Sequence, residues 1–143
     1  MKQFIKPNLL LPISLHDAVV TSIDVTPATS KLTDERLTFK FAEGFYLVAE
    51  NKVESSGEAV IKFSGIDFDF SSVYYCMENE RQEVTFNDLA RDVSRYSLEV
   101  IDETYGYNQS KFSCQLFKED SLYWVEIEIY HYEDTIYEWE NVY

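Results

Sequence analysis

Apolar residues in this chain recur at every second position over much of its length, the period of strands with one side buried and the other wet. In "PISLHDAVVTSIDV", Leu15, Val19, Ile23 and Val25 share one phase, and His16, Ser22 and Asp24 take the other. "RLTFKFAEGFYLVAE" alternates Leu37, Phe39 and Phe41 with Thr38 and Lys40, passes Gly44, and resumes from Phe45 to Ala49. Two such runs about a glycine predict a hairpin. "EAVIKFSGIDFDFSS" keeps Ala59, Ile61 and Phe63 in phase, slips by one residue at Ser64-Gly65, and continues with Ile66, Phe68 and Phe70. A slip at a glycine predicts a β-bulge. "SVYYCM", "SLEVIDE", "KFSCQLFK", "LYWVEIEIYHY" and "TIYEWENVY" add further β-prone runs.

One segment breaks the alternation. In "VTFNDLARDVSRY", Thr85 can cap a helix, Asp88 completes a variant capping box, and Val84 and Leu89 are placed as a hydrophobic staple. Phe86, Leu89, Ala90 and Val93 form one apolar face, with Asp88 early and Arg91 and Arg95 late, as the helix dipole favours. The spacing predicts a helix over 86–95. The fold class expected is therefore α+β and mainly antiparallel β: a strongly bent sheet, or two packed sheets, of about eight strands. The helix covers part of one sheet face or plugs the end of a curved sheet. An immunoglobulin-like sandwich fits less well, because the strands are long, aromatic and interrupted by a helix.

The 143 residues, 45% hydrophobic and 16% aromatic, read as one domain spanning 1–143. A domain of this size buries roughly 68–70% of the surface its unfolded chain exposes, so it needs no metal or disulfide to fold. Cys76 and Cys114 are expected to be free, buried and reduced. The start, "MKQFIKPNLLLPIS", has only Leu9 to Leu11 as an apolar run and does not read as a signal peptide. No later run approaches the ~18 apolar residues of a membrane span. The expected setting is the cytoplasm.

With 26 acids against 12 bases, the formal net charge is −14. Such a chain repels nucleic acid and disfavours anionic membranes. It attracts basic proteins or cations, and its field accelerates encounter with them. Solubility alone is the plainer account of the same charge.

Two short motifs resemble metal sites. His16-Asp17 is a doublet that holds metals in some phosphohydrolases. In a strand, however, adjacent side chains point to opposite faces, and His131 is the only other histidine. Hydrogen bonding to backbone at a turn is the stronger reading of the pair. Asp67-Phe68-Asp69 looks like a DxD, yet alternation with Ile66, Phe68 and Phe70 already accounts for the aspartates. Tyr105-Gly106-Tyr107 reads as a surface loop with two rings. There is no G-x-S-x-G, phosphate loop or zinc spacing, so no catalytic residue, cofactor or metal is assigned.

The last 25 residues are the most unusual, with eight acids, seven tyrosines and tryptophans, and no lysine or arginine. Val125, Ile127 and Ile129 take the core phase, leaving Trp124, Glu126, Glu128, Tyr130 and Tyr132 outside. A three-residue turn near Glu133-Asp134 then forms a hairpin that puts Tyr137 and Trp139 in the core and gathers Glu126, Glu128, Glu138 and Glu140 outside. Carboxylates crowded among aromatic rings make a surface for a basic partner, or else a charged edge that resists aggregation. The binding residues expected are Trp124, Glu126, Glu128, Tyr130, Tyr132, Glu138, Trp139 and Glu140.

Leu15-His16-Asp17, Val20, Ile23, Leu37-x-Phe39-x-Phe41 and Gly44-Phe45 together resemble the N-terminal third of several small, acidic, β-rich bacterial proteins. Some of those are uncharacterised, and some are grouped with immunity proteins of polymorphic toxin systems. The resemblance spans residues 15–47 and carries no site residues. It implies a single-domain cytoplasmic protein that binds and neutralises a partner. The leading expectation is a small binding protein of the immunity or inhibitor type whose partner is a basic protein such as a toxin. The alternatives are a small-molecule or carbohydrate-binding module, or an enzyme, with an aromatic pocket on a bent sheet, and a structural subunit of an assembly.

Overall fold

The computed structural model describes residues 1–5, 12–26, 35–49 and 52–141; the apolar run Leu9 to Leu11 lies outside them. Fourteen strands and one helix, numbered in chain order, are present among these residues. A five-stranded antiparallel sheet has the spatial order β1 (Lys2–Ile5), β14 (Ile136–Trp139), β8 (Ala59–Ser64), β5 (Arg36–Phe41), β4 (Ser22–Thr26). A six-stranded sheet runs β10 (Glu80–Val84), β9 (Ser72–Met77), β13 (Ser121–Tyr130), β12 (Gln109–Lys118), β11 (Leu98–Gly106), β3 (Val19–Val20). A small third sheet joins β2 (Ile13–Ser14), β6 (Tyr46–Ala49) and β7 (Lys52–Ser55). The mainly antiparallel α+β expectation holds. The strand number exceeds eight because the long alternating runs are divided at corners between sheets.

The two large sheets face each other through their alternating apolar rows. Phe39 on β5 and Phe63 on β8 meet edge-on at 5.4 Å, and both reach Phe112 on β12 with ring centres 6.0 Å away. Leu37, Phe41, Ile61, Val125, Ile127 and Ile129 are buried in the same layer. Residues of the opposite phase consequently lie on two outer faces that point in opposite directions.

Three sequence expectations fail at the corners. The hairpin expected about Gly44 does not form: β5 pairs with β4 and β8, while β6 pairs with β2 and β7. Both edges of β5 are taken, and Gly44, at φ +78°, turns the chain out of the large sheet. Phe45 is buried behind this corner, its ring 5.9 Å from Phe41 and 6.0 Å from Trp139. At Gly65 the slip ends a strand instead of bulging it. Gly65 has φ +65°, and Asp67 Oδ1 then accepts the backbone N–H of Asp69 at 3.1 Å and of Phe70 at 3.3 Å, which replaces extended pairing by a turn. Phe70, expected in phase with Ile66 and Phe68, is 71% exposed. A register shift does occur elsewhere, between Val100 and Asp102 on β11.

The third failure is the C-terminal hairpin. β13 is flanked on both sides, by β12 and β9, so no edge is open to the next strand. The chain crosses to the other sheet, where β14 enters between β1 and β8. Tyr137 is buried and Trp139 half-buried against the core, so the assignment of faces holds although the pairing does not.

The helix α1 (Phe86–Val93) ends two residues before the expected boundary, at Ser94. Thr85 Oγ1 accepts the Asp88 N–H at 3.0 Å, and Asp88 Oδ2 accepts the Thr85 N–H at 3.1 Å, closing the capping box. The helix packs on β4 and β9, with Phe86 edge-on to Phe68 at 5.5 Å. Its inner face also buries Asp92, which accepts from the Tyr75 hydroxyl at 2.8 Å and the Lys118 ammonium at 3.2 Å. Burial, and then Asp92 beside it, push the Tyr75 hydroxyl far above its ordinary range. The two cysteines cannot meet, since Cys114 points into the core and Cys76 is half-buried on the outer face; both are free. Cys76 thus departs from the expected burial, while the Cys114 thiol is pushed far up by burial.

A Cβ at Gly44 would collide with the backbone oxygens of Gly57 and Ser56 in a left-handed conformation. Gly44→Ala is expected to destabilise the fold by about 2 kcal/mol or more. Gly106→Ala, which meets only Gln109 side-chain atoms at 3.4 Å or beyond, should shift the urea midpoint little.

Candidate functional site

The outward row of β13 carries Leu122, Trp124, Glu126, Glu128 and Tyr130, as the alternation requires. Glu138 and Glu140 are not part of this surface. They belong to the five-stranded sheet and its exit, with Glu138 on the opposite outer face, where Lys62 is ion-paired with it. Trp139 is turned inward, towards Phe45. On the β13 side, Glu126 accepts the Ser113 hydroxyl at 2.8 Å and Glu128 lies 3.6 Å from Lys111 Nζ. The expected crowd of facing carboxylates is therefore dispersed and partly neutralised, because β13 and β14 never pair.

An exposed apolar patch takes its place. Phe117 lies opposite Leu122 in the β12–β13 register, and Trp124 follows two residues on, between Gln115 and Cys76. Phe117 is 54%, Trp124 43% and Leu122 40% exposed. Two acidic turns close this end of the sheet, Glu78 before β10 and Glu119-Asp120 before β13. All three of these acids have positive φ. Nearby, Arg81 stacks 3.6 Å from the Tyr74 ring centre. In the sequence, Phe117 and Leu122 are out of phase with Phe112, Cys114, Leu116 and Val125, and that phase is the signal that marks them as outward-facing.

At its other end the β13 row leads to Tyr132 and a groove. The connection 65–71 and the crossover 131–135 face each other there. Gly65 donates to the Glu35 carbonyl at 3.0 Å, its own carbonyl accepts from the Tyr132 N–H at 2.9 Å, and Asp67 N–H donates to the Tyr130 carbonyl at 2.9 Å. The Tyr132 hydroxyl donates to Asp67 Oδ2 at 2.9 Å, and that bond raises its pKa. Between these segments lies an open cavity of about 420 Å³, with Ile66, Phe68 and Tyr132 as its apolar wall and Glu35, Asp67, Asp69 and Glu133 among the residues that line it. A second cavity of about 320 Å³ shares Phe68 and Glu35 and continues past Glu83 to the start of α1. The DxD-like pair thus sits in a turn, with Asp67 committed to holding it.

The crossover is fixed by His131. Its Nδ1 lies 2.9 Å from the Glu133 carbonyl, which can only accept, so Nδ1 carries a proton, and Nε2 lies within hydrogen-bond distance of the buried Ser110 hydroxyl at 3.2 Å. The second ring pair, at Tyr105-Gly106-Tyr107, is divided. Tyr107 is exposed, whereas Tyr105 packs on Phe112 at 6.1 Å. The Tyr105 hydroxyl is held well above its ordinary range by burial first, then by Tyr137 and Glu103.

His16 and Asp17 occupy a turn, not a strand start, so the pleat does not separate them. The Ala18 N–H closes on the Leu15 carbonyl at 2.8 Å, with Asp17 at φ +65°. The turn docks on the irregular part of β11, where Asp17 N–H donates to the Val100 carbonyl at 2.8 Å and His16 Nδ1 lies 2.8 Å from the Ile101 carbonyl. His16 Nε2 faces Asp17 Oδ1 at 3.5 Å. The doublet bonds to backbone, as the turn reading expected. Among the described residues, no group of three or more His, Cys, Asp or Glu converges as a metal centre does.

Together, these features define a mainly antiparallel α+β fold of three sheets and one helix, with an exposed apolar patch at one end of β13 and an acidic aromatic groove at the other. Comparison with known protein families, curated proteins and solved structures finds no match to this chain.

The His16 pKa is raised above 6.5, first by the Ile101 carbonyl and then by Asp17. Its pairing therefore adds stability that is complete below about pH 6.5 and is lost as pH rises through the folded-state pKa. Proton NMR should find His16 titrating above 6.5, and Asp17→Asn should lower that midpoint.

Proposed function

We propose that this protein is a small binding protein of the immunity or inhibitor type, acting in the cytoplasm on a basic protein partner. The observation that carries this reading is the contiguous exposure of Phe117, Leu122 and Trp124 on a paired, rigid sheet face. Large apolar side chains held in place lose little entropy on binding, and a tryptophan with apolar neighbours is a typical energetic centre of an interface. The acidic turns at Glu78 and at Glu119-Asp120 border the patch, supplying charge at the rim, where it steers encounter and selects against acidic partners. A net charge of −14 acts in the same sense at longer range.

The test is co-purification with the product of the adjacent gene, followed by binding kinetics in low and high salt. Trp124→Ala should weaken binding by about tenfold or more while leaving the urea midpoint nearly unchanged. Raising salt should slow association far more than it speeds dissociation. Lys62→Ala, on the opposite outer face, is the control and should have no effect. Binding that is indifferent to Trp124 and to salt alike overturns the proposal.

A further inference from the structure

The groove beside Tyr132 differs in chemistry between its wall and its rim. Phe68 is pinned by Phe86 at 5.5 Å, and Tyr132 is tethered through its hydroxyl to Asp67 at 2.9 Å, so two aromatic faces are held in place along an open cavity. Tyr132 is 71% exposed and is not covered by any described segment. Around these rings, the carboxylates of Glu35, Asp69 and Glu133 take no hydrogen bond and no ion pair from any described residue, although all three line the cavity. The described lysines and arginines in ion pairs engage acids elsewhere, as Lys40 does Glu58 and Lys111 does Glu128. Among the described residues, no lysine or arginine lines this cavity or its continuation past Phe68.

We infer that this groove receives an arginine side chain from an extended basic segment of the partner protein. The inference rests on the reading of a basic partner and adds where, and by which residue type, that partner is gripped. A guanidinium fits both parts of the groove. Its flat face stacks on Phe68 or Tyr132, and its fork of N–H donors reaches carboxylates on the rim. An ammonium offers no flat face to the rings. The groove suits a passing chain better than a closed-in ligand, since it continues over Phe68 towards Glu83 and the start of α1. A second copy of this protein is disfavoured as the occupant, because each copy carries a net charge of −14.

The test uses the full chain, isotopically labelled, titrated with the peptide acetyl-Arg-Gly-Arg-Gly-Arg-amide and followed by amide NMR. Saturable shifts are expected at Gly65, Asp69 and Tyr132, with tighter binding than the lysine version of the peptide and none by the glutamine version. The double variant Asp69→Asn/Glu133→Gln should bind the arginine peptide at least about fivefold more weakly. Its urea midpoint should be unchanged, as neither carboxylate has an intramolecular partner among the described residues. Equal binding of the lysine and arginine peptides, shifts scattered over the acidic surface, or indifference to the double variant would each overturn the assignment. Trp124→Ala should leave peptide binding intact. Loss of partner capture in Trp124→Ala alongside normal peptide binding supports both readings. Normal peptide binding with no basic partner captured by the unmodified protein removes the partner reading alone.

Discussion

The contact of Phe112 with Phe39 and Phe63 joins two sheets that share almost no backbone hydrogen bonds, and the rest of the architecture follows from that dry layer. Each ring buries on the order of 150–250 Å². Once these rows are turned inward, the alternation leaves no freedom to their neighbours. Ser113, Gln115 and Phe117 must face out on β12, and Leu122, Trp124 and Glu126 must face out on β13. The exposed patch is thus a direct result of how the core is built: residues of core character remain in the outward phase, and the shared layer has no room for them.

Much of this was legible because period two reports faces without reference to partners. Val125, Ile127, Ile129, Tyr137 and Trp139 were assigned to the core side correctly although their strands lie in different sheets. The helix was legible from Thr85 and Asp88, whose hydrogen bonds are local. Pairing was not legible, because it depends on which edges remain open in three dimensions. Nothing in "YHYEDTIY" records that β9 and β12 already flank β13. The same limit misplaced Glu138 and hid the groove, whose parts come from Glu35, the 65–71 connection and the 131–135 crossover. The burial of Asp92 leaves no mark in the sequence, since its partners Tyr75 and Lys118 stand 17 and 26 positions away.

Charge is distributed by the same geometry. On the outer faces, Lys62 and Lys111 sit against Glu138 and Glu128, and Lys40 meets Glu58 just before β8. Exposed pairs of this kind contribute little stability, but they remove local repulsion where strands lie side by side. The surplus acids fall at turns and connections, such as Glu78, Glu119, Asp120, Asp69 and Glu133. Acids therefore border both ends of β13, next to the exposed rings.

The strand order also bears on how the molecule is made. β14 lies between β1 and β8, so the earliest and the latest described strands are neighbours in one sheet. On the ribosome, the flank of β8 must wait, unpaired, until residues 136–139 emerge from the exit tunnel. Until then the β8 edge is an open template for pairing, and the five-stranded sheet closes only once β14 has been made.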